Sequence, residues 1–451
     1  MKPFYQLTAT QAISQINKGV LSSKALVQSC LDRIKETDPI VQAWVCLDAD
    51  KGLEQAEQID RGPEKDILSG VPVGIKDIFN THDFPTCMGS SIWKGFMPGN
   101  DARVVTNIKR AGGVVFGKTV TAEFAVHHPG PTKNPYSLDH IAGTSSTGSA
   151  VAVATGQVPL AIGTQTAGST IRPASYVGIY GYKPSFGVVP RTGVLKTLDT
   201  LDHVTWFARC IEDLELMLDV CRVHGPNYPF VYENFDLKAK PNKDRRWKVA
   251  FVKTHVWDQA ESYTRDSMEK FADLLRSKGI TVNEENIPEK LSRAHQVHQV
   301  IYQKALSYYF QEEYKNHKDQ ISPIMQEMIE QGQKISIQDY HAGLDQQNQL
   351  ARCFTEHFQD YDIVLSHSTT GQAPLIDVDE KPDPCLVWTL CRLPVIGVPV
   401  FKGPDGLPFG AQLVAKHYDD YSLLAFGRHL KDLGILKDAE VANINAIIET
   451  K

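Results

Sequence analysis

With 451 residues the chain is long enough to bury a large core, and its 42% hydrophobic and 22% charged residues are the proportions of an ordinary soluble protein. A net charge of −6 gives no electrostatic basis for nucleic acid as principal partner. The N-terminal stretch MKPFYQLTATQAISQINKG lacks the apolar segment of a secretory signal, and no run of about 18 apolar residues occurs anywhere, so neither secretion nor a membrane is expected. Eight cysteines, at positions 30, 46, 87, 210, 221, 353, 385 and 391, form no CxxC pair and no dense framework. A reduced, cytoplasmic setting follows, with the cysteines in core packing.

From Thr8 to about Gln58 the pattern is helical. Thr8 with Gln11 fits an N-cap and its capping residue, and Ser22 or Ser23 starts a second helix, predicted to stop before Pro39. Leu26, Cys30, Leu31 and Ile34 share one face of it. Next, Gly70 to Ile75 reads as a strand that delivers a single Lys76 among apolar neighbours. A lysine in apolar surroundings loses the hydration that favours its charged form and becomes a base near neutral pH. By itself Lys76 is also readable as a surface residue or as half of an ion pair with Asp77. Asn80–Asp101 is a loop with aromatics, and Ala102–Gly117 is a helix ending at Gly112–Gly113 followed by a strand. His127 and His128 are adjacent and lack the spacing of a metal pair.

The most informative stretch runs from Gly143 to Pro184. It holds two turns of Gly, Ser and Thr, at Gly143–Ser149 and Gly163–Ser169, joined by small apolar residues. Such turns let backbone N–H groups approach a ligand closely. Between them, Ala150 to Ile162 has the low volume of a helix or strand packed inside a core. Taken alone, GTSSTGS is also readable as a tight crossover whose glycines serve only backbone geometry. It lacks the GK[ST] ending of a nucleotide-binding P-loop. Taken together, Lys76, Ser145 and Ser169 suggest a serine nucleophile activated by a base through a second hydroxyl.

Downstream, Ser185 to Cys221 reads as a loop and then an amphipathic helix, with Val204, Phe207, Ala208, Leu214, Leu216 and Leu218 in the core. The basic run Lys238–Lys248 reads as a solvated connection. WKVAFVK is a strand, Ser262 to Lys278 a helix and ITVNEENIP a strand, while Leu291–Arg352 is helical and rich in Gln. DIVLSHSTTGQAP is a buried strand followed by a loop. Asp405-Gly406 turns the chain between two apolar segments.

These motifs resemble the amidase signature family. GVPVGIKD, GTSSTGS and GTQTAGS occur here in the order of the family's GxPxxxKD, GGSSGGS and GTDTGGS, and 24 residues separate Ser145 from Ser169, as in the family. The resemblance extends from about Ser23 to about Leu424 and is weakest in the middle, where the walls that decide the substrate are expected. It implies an α/β fold with a large mixed central sheet covered by helices on both faces, and one amidase domain over residues 1–451. It also implies Ser169 as nucleophile, Ser145 as bridging serine beside a non-proline cis peptide bond, and Lys76 as base. The oxyanion hole would be the N–H groups of Thr166, Ala167, Gly168 and Ser169. Met88, in a loop that the resemblance lays over the site, and Trp388 are candidate substrate contacts; the loop also reads as a mobile surface segment without a ligand role, and Trp388 as a core residue. No metal or organic cofactor is implied, the substrate is a small-molecule amide, and a homodimer is possible.

Two departures stand out. Gln165 replaces the usual Asp, and the arginine after the nucleophile turn moves one position on, to Arg172. A Gln-based support for the turn is therefore expected in place of the Asp–Arg one. The reading is a stand-alone amidase, hydrolysing a linear carboxamide to an acid and ammonia or an amine. The alternatives are the A subunit of a glutamyl-tRNA amidotransferase, against which the altered turn weighs, and a non-catalytic binding protein, which would have no need of the lysine and both serines.

Overall fold

Lys76 ends an interior strand of a mixed sheet that organises the computed structural model, which describes residues 2–62, 66–237 and 245–444. In chain order the strands are β1 (Trp44–Leu47), β2 (Val73–Lys76), β3 (Gly117–Thr119), β4 (Leu160–Gln165), β5 (Tyr180–Lys183) and β6 (His203–Ala208). They continue with β7 (Lys248–Lys253), β8 (Thr281–Asn286), β9 (Ile363–His367), β10 (Val395–Lys402) and β11 (Pro408–Val414). All eleven join one sheet in the order β1-β3-β2-β4-β6-β5-β10-β11-β9-β7-β8. The fold is the α/β arrangement that the sequence implies.

The parallel strands β3, β2 and β4 lie together, with Lys76 opposite Thr119 and Ile75 opposite Ile162. Every residue of β2 and β4 is buried, as their largely apolar character demands of strands covered on both faces. Leu160 and Ile162 enter one apolar cluster and Ala161 the other, so successive side chains feed separate cores on the two faces. The passage between the two serine turns is both a helix, Thr147–Ala154, and a strand, β4. All eight residues of that helix are buried. A Cβ on Gly148 would stand 2.3 Å from the Val120 nitrogen and 2.4 Å from the Ala43 carbonyl oxygen. Only glycine lets the helix come so near the chain that follows β3.

Several local expectations hold. Thr8 and Gln11 form the capping box, and Ser22 caps the helix Ser23–Val41. Gly406, at φ 77°, turns β10 into its antiparallel neighbour β11. Others are corrected. The helix begun at Ser23 passes through Pro39 to Val41, because Pro39 falls in its last turn. There the chain closes through left-handed Gln42, whose N–H donates to the Asp38 carbonyl. The first helical region is interrupted by β1, an edge strand. Val204, Phe207 and Ala208 belong to β6 rather than to a helix, which begins only at Ile211. Positions 238–244 of the basic run lie outside the described residues.

Gly148→Ala is expected to cost about 1–3 kcal/mol through overpacking against Val120 and Ala43. Thermal unfolding should show a lowered Tm, and an unchanged Tm would contradict the close packing described.

Candidate active site

Lys76 is fully buried at the end of β2. Its Nζ lies 2.8 Å from Ser145 Oγ, 2.9 Å from Ser146 Oγ and 2.8 Å from Thr164 Oγ1. Asp77, the alternative partner in the sequence, points elsewhere and pairs with Lys118 at 3.0 Å, both side chains fully buried. Burial therefore pushes the Lys76 pKa well below the usual lysine value, and the more distant Asp202 carboxylate only partly opposes this. Three hydroxyls satisfy the amine without neutralising it.

Ser145 belongs to a turn whose Thr144–Ser145 peptide bond is cis. Gly143 precedes it at φ 87°, with Pro173 so close that a Cβ would meet its backbone at 2.9 Å. The Ser145 carbonyl accepts from the Ala122 N–H, and the Ser146 N–H donates to the Ser169 carbonyl at 3.3 Å. That last bond lays the first serine turn directly against the second.

The second turn is fixed through its carbonyls. Thr166 O accepts from His298 Nε2 at 3.1 Å, Ala167 O from Thr389 Oγ1 at 2.6 Å, and Gly168 O from the Arg172 N–H at 3.0 Å. Thr166 Oγ1 donates to Asp202 Oδ1 at 2.7 Å. Burial takes the His298 pKa down to about 4, so the ring is neutral, and its Nε2 carries the proton that Thr166 accepts. With the carbonyls engaged, the N–H groups of Thr166, Ala167, Gly168 and Ser169 donate to no protein acceptor among the described residues. A turn with that polarity is a site for a developing negative charge.

Gln165 supplies the expected support. Its side-chain oxygen accepts from the N–H groups of Thr170 and Ile171 at 2.9 and 3.0 Å, and its Nε2 donates to Thr389 Oγ1 at 2.9 Å. An amide thus does at once what a carboxylate cannot, accepting from the backbone and donating to a hydroxyl. Arg172 does not support this turn through its side chain. It reaches back to the first turn, donating to the Thr144 carbonyl at 3.0 Å, and lies 3.3 Å from Glu380 and 3.5 Å from Asp383.

Ser169, Thr166, Ala167, Thr144 and Arg172 open onto a cavity of about 710 Å³. One wall comes from the helix Ala294–Tyr309, through His295, His298, Gln299, Tyr302 and Gln303. This is the middle section in which the substrate-deciding walls were expected. Met88 and Trp388 are not part of the cavity wall. Met88 is buried in left-handed backbone, bonded to Asp77 and Phe124. Trp388 is fully buried with its Nε1 on Ser366 Oγ, and packs on Phe354. Both are packed into the apolar core and not against the cavity. Ser146 and Thr164, which touch Lys76, lie inside the recognised turns and carried that signal. Asp202, Glu380, Asp383 and His298 carried none, since only the fold brings them near.

The chain belongs to the Amidase family, whose model matches residues 25–424. It is 28% identical to the A subunit of the glutamyl-tRNA(Gln) amidotransferase of Alkaliphilus metalliredigens, over 94% of this chain and 97% of that protein. It is equally 28% identical to the putative amidase AmiD of Mycobacterium tuberculosis, over 94% and 93%. Among solved structures, a chain from a vestigial protein complex that bears on the origins of an s-triazine catabolic enzyme superposes with a TM-score of 0.84. The identity is 25%, over 96% of this chain and all of that one.

Gln165→Ala should leave the Thr170 and Ile171 N–H groups without an acceptor and cost about 1–3 kcal/mol. Denaturant titration would register this as a lowered midpoint, and an unchanged midpoint would remove Gln165 from the support of the turn.

Proposed function

We propose that the protein hydrolyses a linear carboxamide to a carboxylic acid and ammonia or an amine through an acyl-enzyme on Ser169. The observation that supports this above all is the buried Lys76 amine, 2.8 Å from Ser145 Oγ, in a turn laid against the turn of Ser169. Neutral Lys76 takes the Ser145 proton while Ser145 takes that of Ser169. The Ser169 oxygen bonds to the amide carbon, and the carbonyl electron pair moves onto oxygen, facing the N–H groups of Thr166, Ala167, Gly168 and Ser169. Collapse breaks the C–N bond as the proton returns through Ser145 to the leaving nitrogen. Water, deprotonated by the same relay, then cleaves the ester and releases the acid.

A second reading is favoured by the name that the Alkaliphilus relative carries over nearly its whole length. In it the chain is the A subunit of a glutamyl-tRNA amidotransferase, releasing ammonia from glutamine beside partner subunits. Ammonia release from a panel of primary amides that includes glutamine separates the two, with copurification of other subunits as the second readout. Turnover of glutamine alone, and only with a copurified partner, would favour the amidotransferase.

Ser169→Ala and Lys76→Ala are each expected to abolish turnover while the far-ultraviolet dichroism stays that of the parent. Ser145→Ala should slow acylation strongly and leave residual activity. Near-parental activity in the Ser169 or Lys76 variant would overturn the mechanism. The pH profile gives an independent check. Lys76 must be neutral, so kcat/KM should rise with pH through the Lys76 pKa and level off above it. Because burial lowers that pKa, the rise should be complete well below the pH at which an exposed lysine titrates. A limb still rising near pH ~10.4, the ordinary value, would refute the assignment.

A further inference from the structure

We propose that Glu123 is a positioning residue that sets the Ile324–Met328 side of the cavity, and with it the affinity for amides large enough to reach that side. This rests on the Ser169 reading of the cavity. Glu123 follows β3 and is 6% exposed. Its carboxylate oxygens accept from the Ser322 N–H at 3.2 and 3.3 Å, and Oε2 accepts from Ser322 Oγ as well. Ser322, also buried, caps the helix Pro323–Lys334, its Oγ accepting from the Met325 N–H at 3.4 Å. A buried carboxylate is costly unless donors answer it, and here the start of a helix 199 positions further on answers it.

That helix has two working faces. Met325 and Ile329, one turn apart, are buried in the core, whereas Ile324 and Met328, likewise one turn apart, line the cavity. Towards its far end the helix lies against the helix Ala294–Tyr309, so close that a Cβ on Gly332 would stand 1.9 Å from the Gln303 carbonyl oxygen. Close packing thus holds the far end, and Glu123 holds the end from which Ile324 and Met328 project.

The same tie shapes the loop on the other side. Phe124 and Ala125 are left-handed, at φ 48° and 60°, a conformation that residues other than glycine keep only where their surroundings hold them. Here the Phe124 N–H donates to the Met88 carbonyl at 2.8 Å, the Glu123 N–H to the His128 carbonyl at 3.0 Å and the Val126 N–H to the Glu123 carbonyl at 2.9 Å. The Phe124 ring packs on Phe310, with centroids 4.7 Å apart. The loop so formed puts Ala125 and Val126 in the cavity wall. One residue earlier, the Ala122 N–H donates to the Ser145 carbonyl at 3.1 Å. That bond belongs to the backbone, so loss of the Glu123 carboxylate loosens the wall and leaves the anchor of Ser145 in place.

The test compares acetamide, too small to span the cavity, with 4-phenylbutanamide, whose ring lies several bonds from the carbonyl. In Glu123→Ala the KM for 4-phenylbutanamide should rise about tenfold relative to that for acetamide, with kcat changed about twofold at most. Glu123→Gln keeps an oxygen for the Ser322 N–H and should recover most of the affinity. A defect of folding alone would lower turnover of both amides alike. If Glu123→Ala does not fold, Ser322→Ala, which removes one donor, should move the same ratio in the same direction. Ligand-observed NMR titration in the Ser169→Ala background reads that ratio without turnover. A ratio that responds to Glu123 there, with no ammonia released by the parent, would leave the positioning role standing and overturn the hydrolytic reading. Hydrogen exchange needs no ligand. The amides of Met325 to Met328 should exchange about tenfold faster in Glu123→Ala, while the helix Ala294–Tyr309 keeps its protection. An unchanged ratio between the two amides, or unchanged exchange, would overturn the positioning role.

Discussion

The structure depends on holding one amine where burial weakens its hold on a proton. Burial of Lys76 among Ser145, Ser146 and Thr164 replaces the hydration of an ammonium with three hydroxyls that bear no charge. The neutral amine is the state such an environment favours, and a neutral amine beside a hydroxyl is a base. The opposite solution stands one residue along. Asp77 meets Lys118 at 3.0 Å in an equally buried pair, where each charge is compensated by the other. Two buried lysines on neighbouring strands thus differ in what faces them, and Lys76 faces hydroxyls where Lys118 faces a carboxylate.

Everything around that amine serves proximity. The helix Thr147–Ala154 is built of small residues, so it approaches the chain after β3 to backbone contact and brings the Ser145 turn to the end of β2. The second turn is pinned through three successive carbonyls and through Thr166 on Asp202, which leaves its N–H groups turned the other way. Gln165 gives the second turn the Gln-based support that was expected, and Arg172 serves the first turn instead. The glutamine closes the start of the helix Ile171–Tyr176, and the arginine ties the first turn to the acidic wall. The arginine, one position further on than the resemblance implies, holds the first turn. It also brings a positive charge to the carboxylates that line the cavity.

Much of the fold, and the segments that carry Lys76, Ser145 and Ser169, were legible because each is local. The capping box at Thr8, the glycine turn at Gly406, and the apolar run of β2 each rest on residues within a few positions of one another. The misreadings have the same origin. Val204, Phe207 and Ala208 are as apolar in a buried strand as on a helix face, and β6 is a strand because β4 and β5 flank it. Met88 and Trp388 are large apolar residues, and burial against a core and against a cavity look alike until the packing is known; Trp388 takes the core position that the sequence also offered.

The chemistry on offer was already written in the order of residues: Lys76 after an apolar strand, Ser145 and Ser169 in two small-residue turns, and Gln165 in place of an acid. Each feature sits in a short segment, and it is the resemblance of those segments to the amidase signature motifs that implies the roles. The folded chain was needed to learn which hydroxyls surround the amine, that Asp202 and His298 fix the Thr166 turn, and that Glu380 and Asp383 share one arginine. These groups lie far apart along the chain, and their meeting is set by strand order and helix packing, which no local pattern encodes.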